Sequence, residues 1–556
     1  MEKIPFRRFW ALALALSLAA MVSCGGQSGP ADPVASATPS GSTQAARSTA
    51  ADGRGMTLAF TANDTLNPYE AKTKANLELC ELLYEGLVRL DNDFKAEYRL
   101  ASKIALEGRA CVVTLRNAVF SDGSAVTAED VAYSYRQAAA KGSPYETALS
   151  GVSSASAAGE STVEFKLKSR DPFFINLLDF PVVKKDSLNR ESSDSRALPP
   201  IGCGRYVLES EEEGYYLKVN DRSFDKPAIS RIELLNLPDQ DAVIYNAGAG
   251  LLDWYYTDLS DNTLPKMNGK QYQVNLNHLV FIGINCNKAP LNDQNLRQAL
   301  SLALNRSAIV ENAFFAGGIP ATGLYNPAFE QAQAYQSISS GADLNGVSDA
   351  LERAGYEAGE DGIYQKNDAK LTLSLLYNEE NSSRKSAAEL IASQMKRAGV
   401  EITLRPARFS QYQTDVQNGN FDLYLGEMRL QANMDLQPLL SLKGMPTRCE
   451  TLYAYEDFKN GRRLGESVPE TTAPSTDAAS SAQPAETETG TGVPATTQAP
   501  RKAVLSDVCA AFAKETPIIP ICYRNGILTY SSKITGTVVA STSDLYYTIS
   551  TCGYEP

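Results

Sequence analysis

Residues 466–501 constrain the fold of this chain most, because they interrupt it with sequence that cannot form a core. The stretch is rich in Ala, Thr, Ser, Pro, Glu and Gly, and its aliphatic side chains larger than alanine are Val468 and Val493. Such a segment cannot bury enough apolar surface to offset the entropy of ordering, so we expect it to be disordered. The apolar run 517–521 that follows predicts a core strand. We therefore interpret 466–501 as a surface insertion within a fold that is completed late in the chain.

Strand and helix patterns alternate through the remaining sequence. Residues 163–167 alternate polar and apolar side chains, as a half-buried strand does. Thr127 followed by Asp130 predicts an N-cap, in an imperfect capping box, for a helix over 128–140. A strand–helix–strand order over 371–404 predicts parallel strands joined by a right-handed crossover. These patterns indicate a mixed α/β protein with more than one core. Further helices are predicted over 76–84, 239–247 and 293–305, and further strands over 56–61, 111–115, 205–208, 215–220, 231–237, 251–256 and 281–285.

The N-terminus has the pattern of an export signal. Basic residues precede an apolar run over 9–20, which is too short to span a bilayer comfortably, and Cys24 follows closely. The pattern resembles a bacterial lipoprotein signal, which implies cleavage after residues 1–23 and a lipid on Cys24. We expect that lipid to hold the protein at the outer face of the cell membrane, extracellular or periplasmic. An ordinary secretory leader with a chance cysteine is the alternative.

Residues 24–55 are predicted to be a flexible tether. They are rich in Gly, Ser, Ala, Thr and Pro and carry few apolar anchors. Coil statistics give a segment of this length a root-mean-square reach of roughly 30 Å. A folded domain on such a tether stands away from the membrane and can still meet a membrane partner.

Charge and histidine content exclude several classes of function. The formal net charge is −13, which argues against nucleic acid as a partner because its binding needs a basic surface. His278 is the only histidine, so HExxH motifs and multi-histidine metal sites are excluded. Since His278 lies in the strand-like run 274–280, we interpret it as a structural histidine entering a core.

Cysteines and catalytic motifs give no sign of an enzyme or a cofactor. The cysteines after Cys24 are scattered without a CxxC pair, so disulfides and buried free thiols both remain open. Neither GxSxG nor a GxxxxGK[ST] phosphate loop is present. Gly248 and Gly250 precede a strand where a nucleotide-binding loop would follow one. We expect no metal and no cofactor.

Five segments, in order along the chain, resemble the extracellular solute-binding proteins of ABC importers, in the large peptide/nickel-binding family. Each segment is weakly specific alone, but their shared order is strong. The resemblance spans nearly the whole chain after Cys24. The segments are LNPYEAKTKANLELCELLYEGLVRLD (66–91), LRNAVFSDGSAVTAEDVAYS (115–134), PPIGCGRYVL (199–208), NCNKAPLNDQNLRQALSLALNRSAIV (285–310) and GNFDLYLGE (419–427).

The resemblance implies an α/β, two-lobed fold like that of periplasmic binding proteins, with a hinge and an extra subdomain on the first lobe. Lobe I would be discontinuous, which agrees with the late core strand at 517–521. The implied ranges are 56–88, 197–285 and 516–556 for lobe I, 89–196 for the extra subdomain, and 286–515 for lobe II.

The same resemblance implies capture of a small peptide by hinge closure and its delivery to an ABC permease with ATPase subunits, by a protein that is a monomer and not an enzyme. It places candidate ligand contacts in both lobes and in the last strand. In peptide-binding relatives an acidic residue from lobe II pairs with the free amino group of the peptide, and here Glu427 or Asp435 would supply it, while Arg429 could clamp a carboxylate. The implied contacts are Lys72, Thr73, Lys74, Glu427, Met428, Arg429, Asp435 and Tyr523.

Several of these residues also have a purely structural interpretation, without a role in ligand binding. Asp435 could cap a helix, Arg429 could be solvated, and Lys72 and Lys74 could be surface lysines. The tryptophan and Asp-Tyr-x-x-Pro-like run usual in peptide binders are missing after Gly426. A nickel complex or a sugar as ligand, a surface peptide sensor without transport, and an exported hydrolase remain alternatives.

Overall fold

The computed structural model describes residues 55–191, 197–212, 214–259, 266–335, 341–468 and 501–555. The predicted signal at 1–23, Cys24, nearly all of the tether at 24–55 and most of the insertion at 466–501 lie outside these ranges. No helix among the described residues is long and apolar enough to cross a membrane.

Strands and helices alternate along the described chain. The helices are α1 (Lys74–Leu83), α2 (Ala128–Ala138), α3 (Glu146–Leu149), α4 (Gln240–Gly248), α5 (Gln294–Leu302), α6 (Arg306–Ala313), α7 (Glu330–Gln333), α8 (Leu344–Arg353), α9 (Ser382–Arg397), α10 (Phe409–Asn418), α11 (Gln437–Leu440), α12 (Glu450–Asn460) and α13 (Leu505–Glu515), with 3₁₀ turns at Phe174–Leu177 and Ile549–Thr551. The strands are β1 (Met56–Phe60), β2 (Val88–Leu90), β3 (Ala96–Tyr98), β4 (Ala101–Glu107), β5 (Ala110–Leu115), β6 (Val152–Ala157), β7 (Thr162–Leu167), β8 (Arg190–Glu191), β9 (Ala197–Leu198), β10 (Tyr206–Glu211), β11 (Gly214–Val219), β12 (Arg231–Asn236), β13 (Trp254–Thr257), β14 (Lys270–Ile284), β15 (Gly318–Pro320), β16 (Glu357–Ala358), β17 (Tyr364–Lys366), β18 (Ala369–Lys370), β19 (Thr372–Asn378), β20 (Glu401–Ala407), β21 (Leu423–Arg429), β22 (Ile518–Tyr530), β23 (Ile534–Thr535) and β24 (Gly553–Tyr554).

The first core is built around two four-stranded sheets. One has the order β1-β12-β11-β10, with β1 parallel to β12 and the other pairs antiparallel. The second is antiparallel, in the order β4-β5-β7-β6, and α2 contacts its strands β6 and β7. The core shared by these sheets also contains apolar side chains from 534–552, so the end of the chain returns to the first core.

A larger sheet has the order β13-β22-β14-β21-β19-β20, with β15 pairing to β22. Strand β19 is parallel to β20 and to β21, and α9 connects β19 to β20, so the predicted parallel pair is confirmed. Two further cores contain side chains of this sheet. Alternate residues of β14 supply them: Val280 and Ile282 belong to one, and Leu279 and Phe281 to the other.

Strands β14 and β22 connect the first core to the cores of the large sheet. Val274 and Leu528 belong to the first core, whereas Ile282 and Ile519 belong to a core of the large sheet. The antiparallel pairing of the two strands is irregular between Asn275 and Leu279. The molecule is thus two-lobed, and two long strands carry the chain between the lobes.

Local sequence signals account for several element boundaries. Helix α2 begins with a full capping box, because the backbone N–H of Thr127 donates to Asp130 Oδ2 and the Thr127 hydroxyl accepts from the Asp130 N–H. The helix predicted over 293–305 is present as α5 but ends earlier, at Leu302, because Asn305 caps the next helix, α6, by accepting a hydrogen bond from the Ala308 N–H.

The strand predicted over 281–285 is only the end of β14, which begins at Lys270. The alternating sequence of its first half continues into a fully apolar second half without a turn signal.

The described cysteines are free thiols and form no disulfide with one another, of the two possibilities that the sequence left open. They are Cys80, Cys111, Cys203, Cys286, Cys449, Cys509, Cys522 and Cys552.

Candidate functional site

A cavity of about 390 Å³ lies where the first core meets the end of the large sheet. Helix α1 of the first lobe contributes one wall, and residues 429–432 at the end of β21, in the large sheet, contribute another. Residues 276–278 of β14, at the irregular pairing with β22, also line the cavity, as does the loop 542–545, which is hydrogen-bonded to α1. The cavity is therefore lined by both lobes and by one of the strands that connect them.

The wall formed by α1 is acidic. Glu78 and Glu81 lie three residues apart, on one face of the helix, and Asp179 lines the same cavity. Burial raises the pKa of Glu78 to about 7 and that of Asp179 to about 6. Burial and the neighbouring Asp544 also raise the pKa of Glu81 well above its usual range. Lys74 and Arg205 act electrostatically on Glu78 and Glu81, but no described residue forms an ion pair with these carboxyl groups within 4.0 Å, so the wall favours a cationic ligand group.

Lys74 lies one turn before Glu78 on α1 and lines the cavity. Its Nζ stacks over the ring of Tyr256, 4.6 Å from the ring centroid. Lys74 contributes an electrostatic interaction to Glu78, but the described residues make no ion pair to either side chain within 4.0 Å. Both groups therefore remain available to a ligand.

Buried ion pairs fix the loop of Asp544 against the first lobe. Arg205 Nη2 donates to both carboxylate oxygens of Asp544 at 2.9 Å, and Arg89 Nη1 donates to one of them at 3.2 Å. Glu81 Oε2 accepts from the backbone N–H of Leu545 at 2.6 Å. The C-terminal loop is thus tied to α1, and the acidic wall keeps its shape without a ligand.

The wall formed by residues 429–432 is basic at the cavity surface. Side chains alternate along β21, so Glu427 and Arg429 share one face and Met428 lies on the other. Arg429 lines the cavity and makes no ion pair with any described residue. His278, which pairs with Arg429 in the sheet register, also lines the cavity. Burial and the adjacent Arg429 lower the pKa of His278 to about 4, so it is neutral at physiological pH.

Two of the eight candidate ligand contacts, Lys74 and Arg429, line the cavity. Lys72 is exposed, and its backbone N–H, like that of Thr73, donates to Asp64. The Thr73 hydroxyl also donates to Asp64, at 2.6 Å. These contacts stabilise the turn before α1 and do not place the Lys72 or Thr73 side chains among the lining residues.

The other four candidates are engaged elsewhere. Glu427 is ion-paired with Arg384. Asp435 accepts from Tyr455 Oη at 2.5 Å and from Lys459 Nζ at 2.8 Å. Met428 packs against the core on the far face of the sheet, and Tyr523 is buried in that core with its hydroxyl donating to the Leu324 carbonyl oxygen.

The sequence interpretation missed Glu78, Glu81 and Asp179, and it treated His278 as structural. The two glutamates alternate with the leucines of α1, and this pattern indicates that they lie on the face of the helix that does not pack into the core. His278 occupies the cavity wall, and no local sequence signal distinguishes that position from a core position. Among the residues that the structure describes, no group of three or more His, Cys, Asp or Glu side chains is arranged to hold a metal ion.

Comparison with known proteins identifies the family. Oligopeptide-binding protein AppA of Bacillus subtilis (strain 168) is 27% identical over 386 residues, which cover 63% of this chain and 68% of that protein. The nickel-binding periplasmic protein of Escherichia coli (strain K12) is 25% identical over 417 residues, 68% of this chain and 79% of that protein.

Among solved structures, the periplasmic murein tripeptide-binding protein MppA, in its unliganded open form, shares the fold. Its TM-score is 0.65 at 20% identity, with 88% of this chain and 97% of that chain covered. The model of the bacterial extracellular solute-binding proteins, family 5, matches residues 95–443, well over half of the chain. The protein therefore belongs to this family of binding proteins, not enzymes, and is the solute-binding component of an ABC importer.

Proposed function

We propose that the protein captures short peptides in the cavity between its lobes. The observation that carries this proposal is the opposite charge of the two walls. Glu78 and Asp179 line the cavity from one lobe, and Arg429, which has no ion pair among the described residues, lines it from the other. A short peptide carries an amino group and a carboxylate at its two ends, so it can neutralise both walls at once. A ligand that contacts both lobes shifts the population of the molecule toward the closed arrangement.

The names of the relatives favour peptides over other solutes. AppA is named an oligopeptide-binding protein and MppA a murein tripeptide-binding protein, whereas another relative is named for nickel. The acidic side chains of the α1 wall suit an amino group, which donates several hydrogen bonds to carboxylates. We place the amino terminus of the peptide at this wall, which differs from the expectation that Glu427 or Asp435 receives it.

Transport and anchoring complete the proposal. A lipid on Cys24 would hold the protein at the membrane, and the tether over 24–55 would let the closed form reach a permease with its ATPase subunits. In this role the protein works as a monomer and breaks no bond in its ligand.

Native mass spectrometry of the purified protein tests the proposal. The expected result is a series of short peptides bound one to a chain, released on denaturation with intact backbones. Titration calorimetry of the stripped protein with trialanine, with nickel chloride and with maltose then compares the solute classes. Binding of nickel or maltose without peptide, or recovery of cleaved peptides, would overturn the proposal.

A further inference from the structure

Behind the basic wall of the cavity lies a second group of charges. Arg524 on β22 and Arg384 on α9 lie on the same face of the large sheet as Glu427. Arg384 donates to the Glu427 carboxylate and, at 3.4 Å, to the Gly426 carbonyl oxygen. Arg524 Nη1 is 3.9 Å from Glu427 Oε2. One carboxylate is therefore shared by two guanidinium groups.

The described partners of Arg524 leave some of its hydrogen-bond donors without an acceptor. Its side chain is 6% exposed, its Nε–H is buried without a hydrogen-bond partner among the described residues, and its Nη2 reaches only the Leu259 carbonyl oxygen, at 3.4 Å. A buried guanidinium group left with open donors is costly, because it has lost water and gained few partners. Asp258, which lines the cavity, acts on Arg524 electrostatically and adds to Glu427 as a source of negative charge.

This group of charges is continuous with the cavity. His278 lines the cavity and its Nδ1 is 3.8 Å from Glu427 Oε1. Arg429 lies two residues from Glu427 on the same strand face and also lines the cavity. Because its pKa is lowered to about 4, His278 is neutral at physiological pH and offers no competing charge beside the Glu427 carboxylate.

We propose that Arg384 and Arg524 form a subsite for the carboxylate end of the ligand and that Glu427 occupies it as an internal carboxylate when no ligand does. This inference rests on the proposed function and assigns the orientation of the peptide: amino terminus at α1, carboxylate toward α9 and β22. A guanidinium pair recognises a carboxylate through parallel N–H donors, which a lysine pair cannot reproduce. Glu427 then sets the affinity, because the ligand must displace it.

The Glu427→Gln variant tests the subsite without a peptide. Its side chain is isosteric, but both guanidinium groups lose their carboxylate, so we expect the Tm of E427Q to lie below that of the wild type, and the test compares the acetate-induced change in Tm within each protein. Sodium acetate supplies a free carboxylate. At 200 mM we expect acetate, relative to chloride at equal ionic strength, to raise the Tm of E427Q by roughly 1–3 °C more than that of the wild type. The double variant R384Q/E427Q should lose this difference.

Glu450→Gln is the matched control, because it removes a carboxylate from an exposed ion pair with Lys514 on the same lobe. It should respond to acetate as the wild type does. An equal acetate response in E427Q, E450Q and the wild type would overturn the subsite.

Trialanine and its C-terminal amide separate this inference from the proposed function. We expect E427Q to bind the free acid about tenfold more tightly than the wild type does, and the amide with unchanged affinity. Equal gains for acid and amide would overturn the orientation. If neither form binds to either protein while acetate still stabilises E427Q, the peptide function fails and the carboxylate subsite stands.

Discussion

The protonation state of Glu78 makes the charge of the acidic wall depend on pH. Its pKa is raised by burial to about 7, above the ordinary value of 4.5. The folded state therefore holds a proton that the unfolded state releases between about pH 4.5 and 7, so this residue lowers the stability of the fold as pH rises through that window. A protonated Glu78 also offers less charge to an amino group, so ligand binding should strengthen as pH rises through 7.

The Glu78→Gln variant should remove the contribution of Glu78 to that pH dependence and leave the contributions of Glu81 and Asp179. We expect its free energy of unfolding at pH 8 to exceed that of the wild type by about 1–2 kcal/mol, less than the full equivalent of the shift because the side chain is partly exposed. The difference should shrink toward pH 4.5. Urea unfolding at both pH values measures it, with Glu129→Gln as a control because Glu129 forms an exposed ion pair with Lys185. A gain that is the same at both pH values would show that charge is not its cause.

At the scale of elements, the position of α1 depends on the turn at Gly204. A Cβ atom at this glycine would lie 2.3 Å from the backbone carbon of Leu83 and 2.5 Å from the carbonyl oxygen of Leu82. The turn thus packs directly against the backbone at the end of α1, whose other side chains form the acidic wall. A glycine is needed here for close approach.

Gly204→Ala should therefore destabilise the fold and displace the wall. We expect a loss of about 2–3 kcal/mol in the free energy of unfolding, since backbone atoms cannot yield as a flexible side chain does. Peptide affinity, measured by calorimetry, should fall as well. Gly151→Ala is the control, because a Cβ there meets nothing within 4 Å and the backbone is not left-handed. Equal stability of the two variants would contradict the packing argument.

The capping box of α2 gives a second test at this scale. Thr127 Oγ1 donates to Asp130 Oδ2 at 2.6 Å and accepts from the Asp130 N–H at 3.4 Å. Thr127→Ala removes both hydrogen bonds and should cost about 1 kcal/mol. Thr127→Ser retains the hydroxyl and should restore most of it. Urea denaturation distinguishes the two, and an equally destabilised serine variant would assign the loss to packing of the methyl group.

At the scale of the whole molecule, local signals predicted elements better than they predicted the site. The capping box of Thr127 and the parallel pair β19 and β20 depend on residues close in sequence, and both were recovered. Glu427 and Asp435 are engaged by Arg384 and Lys459, 43 and 24 residues away. Sequence patterns do not reveal such partners, so they cannot show which carboxylate faces a ligand. His278 is a similar case, because it lines the cavity only through the packing of segments that are distant in sequence and belong to two lobes.

Contacts outside the cavity also join the lobes. Asn433 Nδ2 donates to Asp171 Oδ2 at 2.6 Å, and Arg170 Nη1 donates to the carbonyl oxygens of Phe458 and Lys459 at 2.8 and 2.9 Å. By the implied domain ranges, Arg170 and Asp171 belong to the extra subdomain and their partners to lobe II. These hydrogen bonds touch no residue that lines the cavity. We expect them to form only when the lobes are closed, so that they favour closure independently of the ligand.

Asn433→Ala tests whether these contacts belong to the closed state alone. Loss of one charge-assisted hydrogen bond from that state should raise the apparent Kd for trialanine by about threefold to tenfold, because less of the population is competent to hold the ligand. Small-angle scattering should show the radius of gyration of the stripped wild type falling by on the order of 1 Å on adding peptide, from about 24 Å. N433A should contract only at higher peptide concentration. Asn460→Ala, which removes an exposed side chain on α12 that donates only to its own helix, is the control. An unchanged Kd in N433A would mean that the open and closed forms share this contact. A radius of gyration that does not change when peptide is added would mean that the lobes do not move.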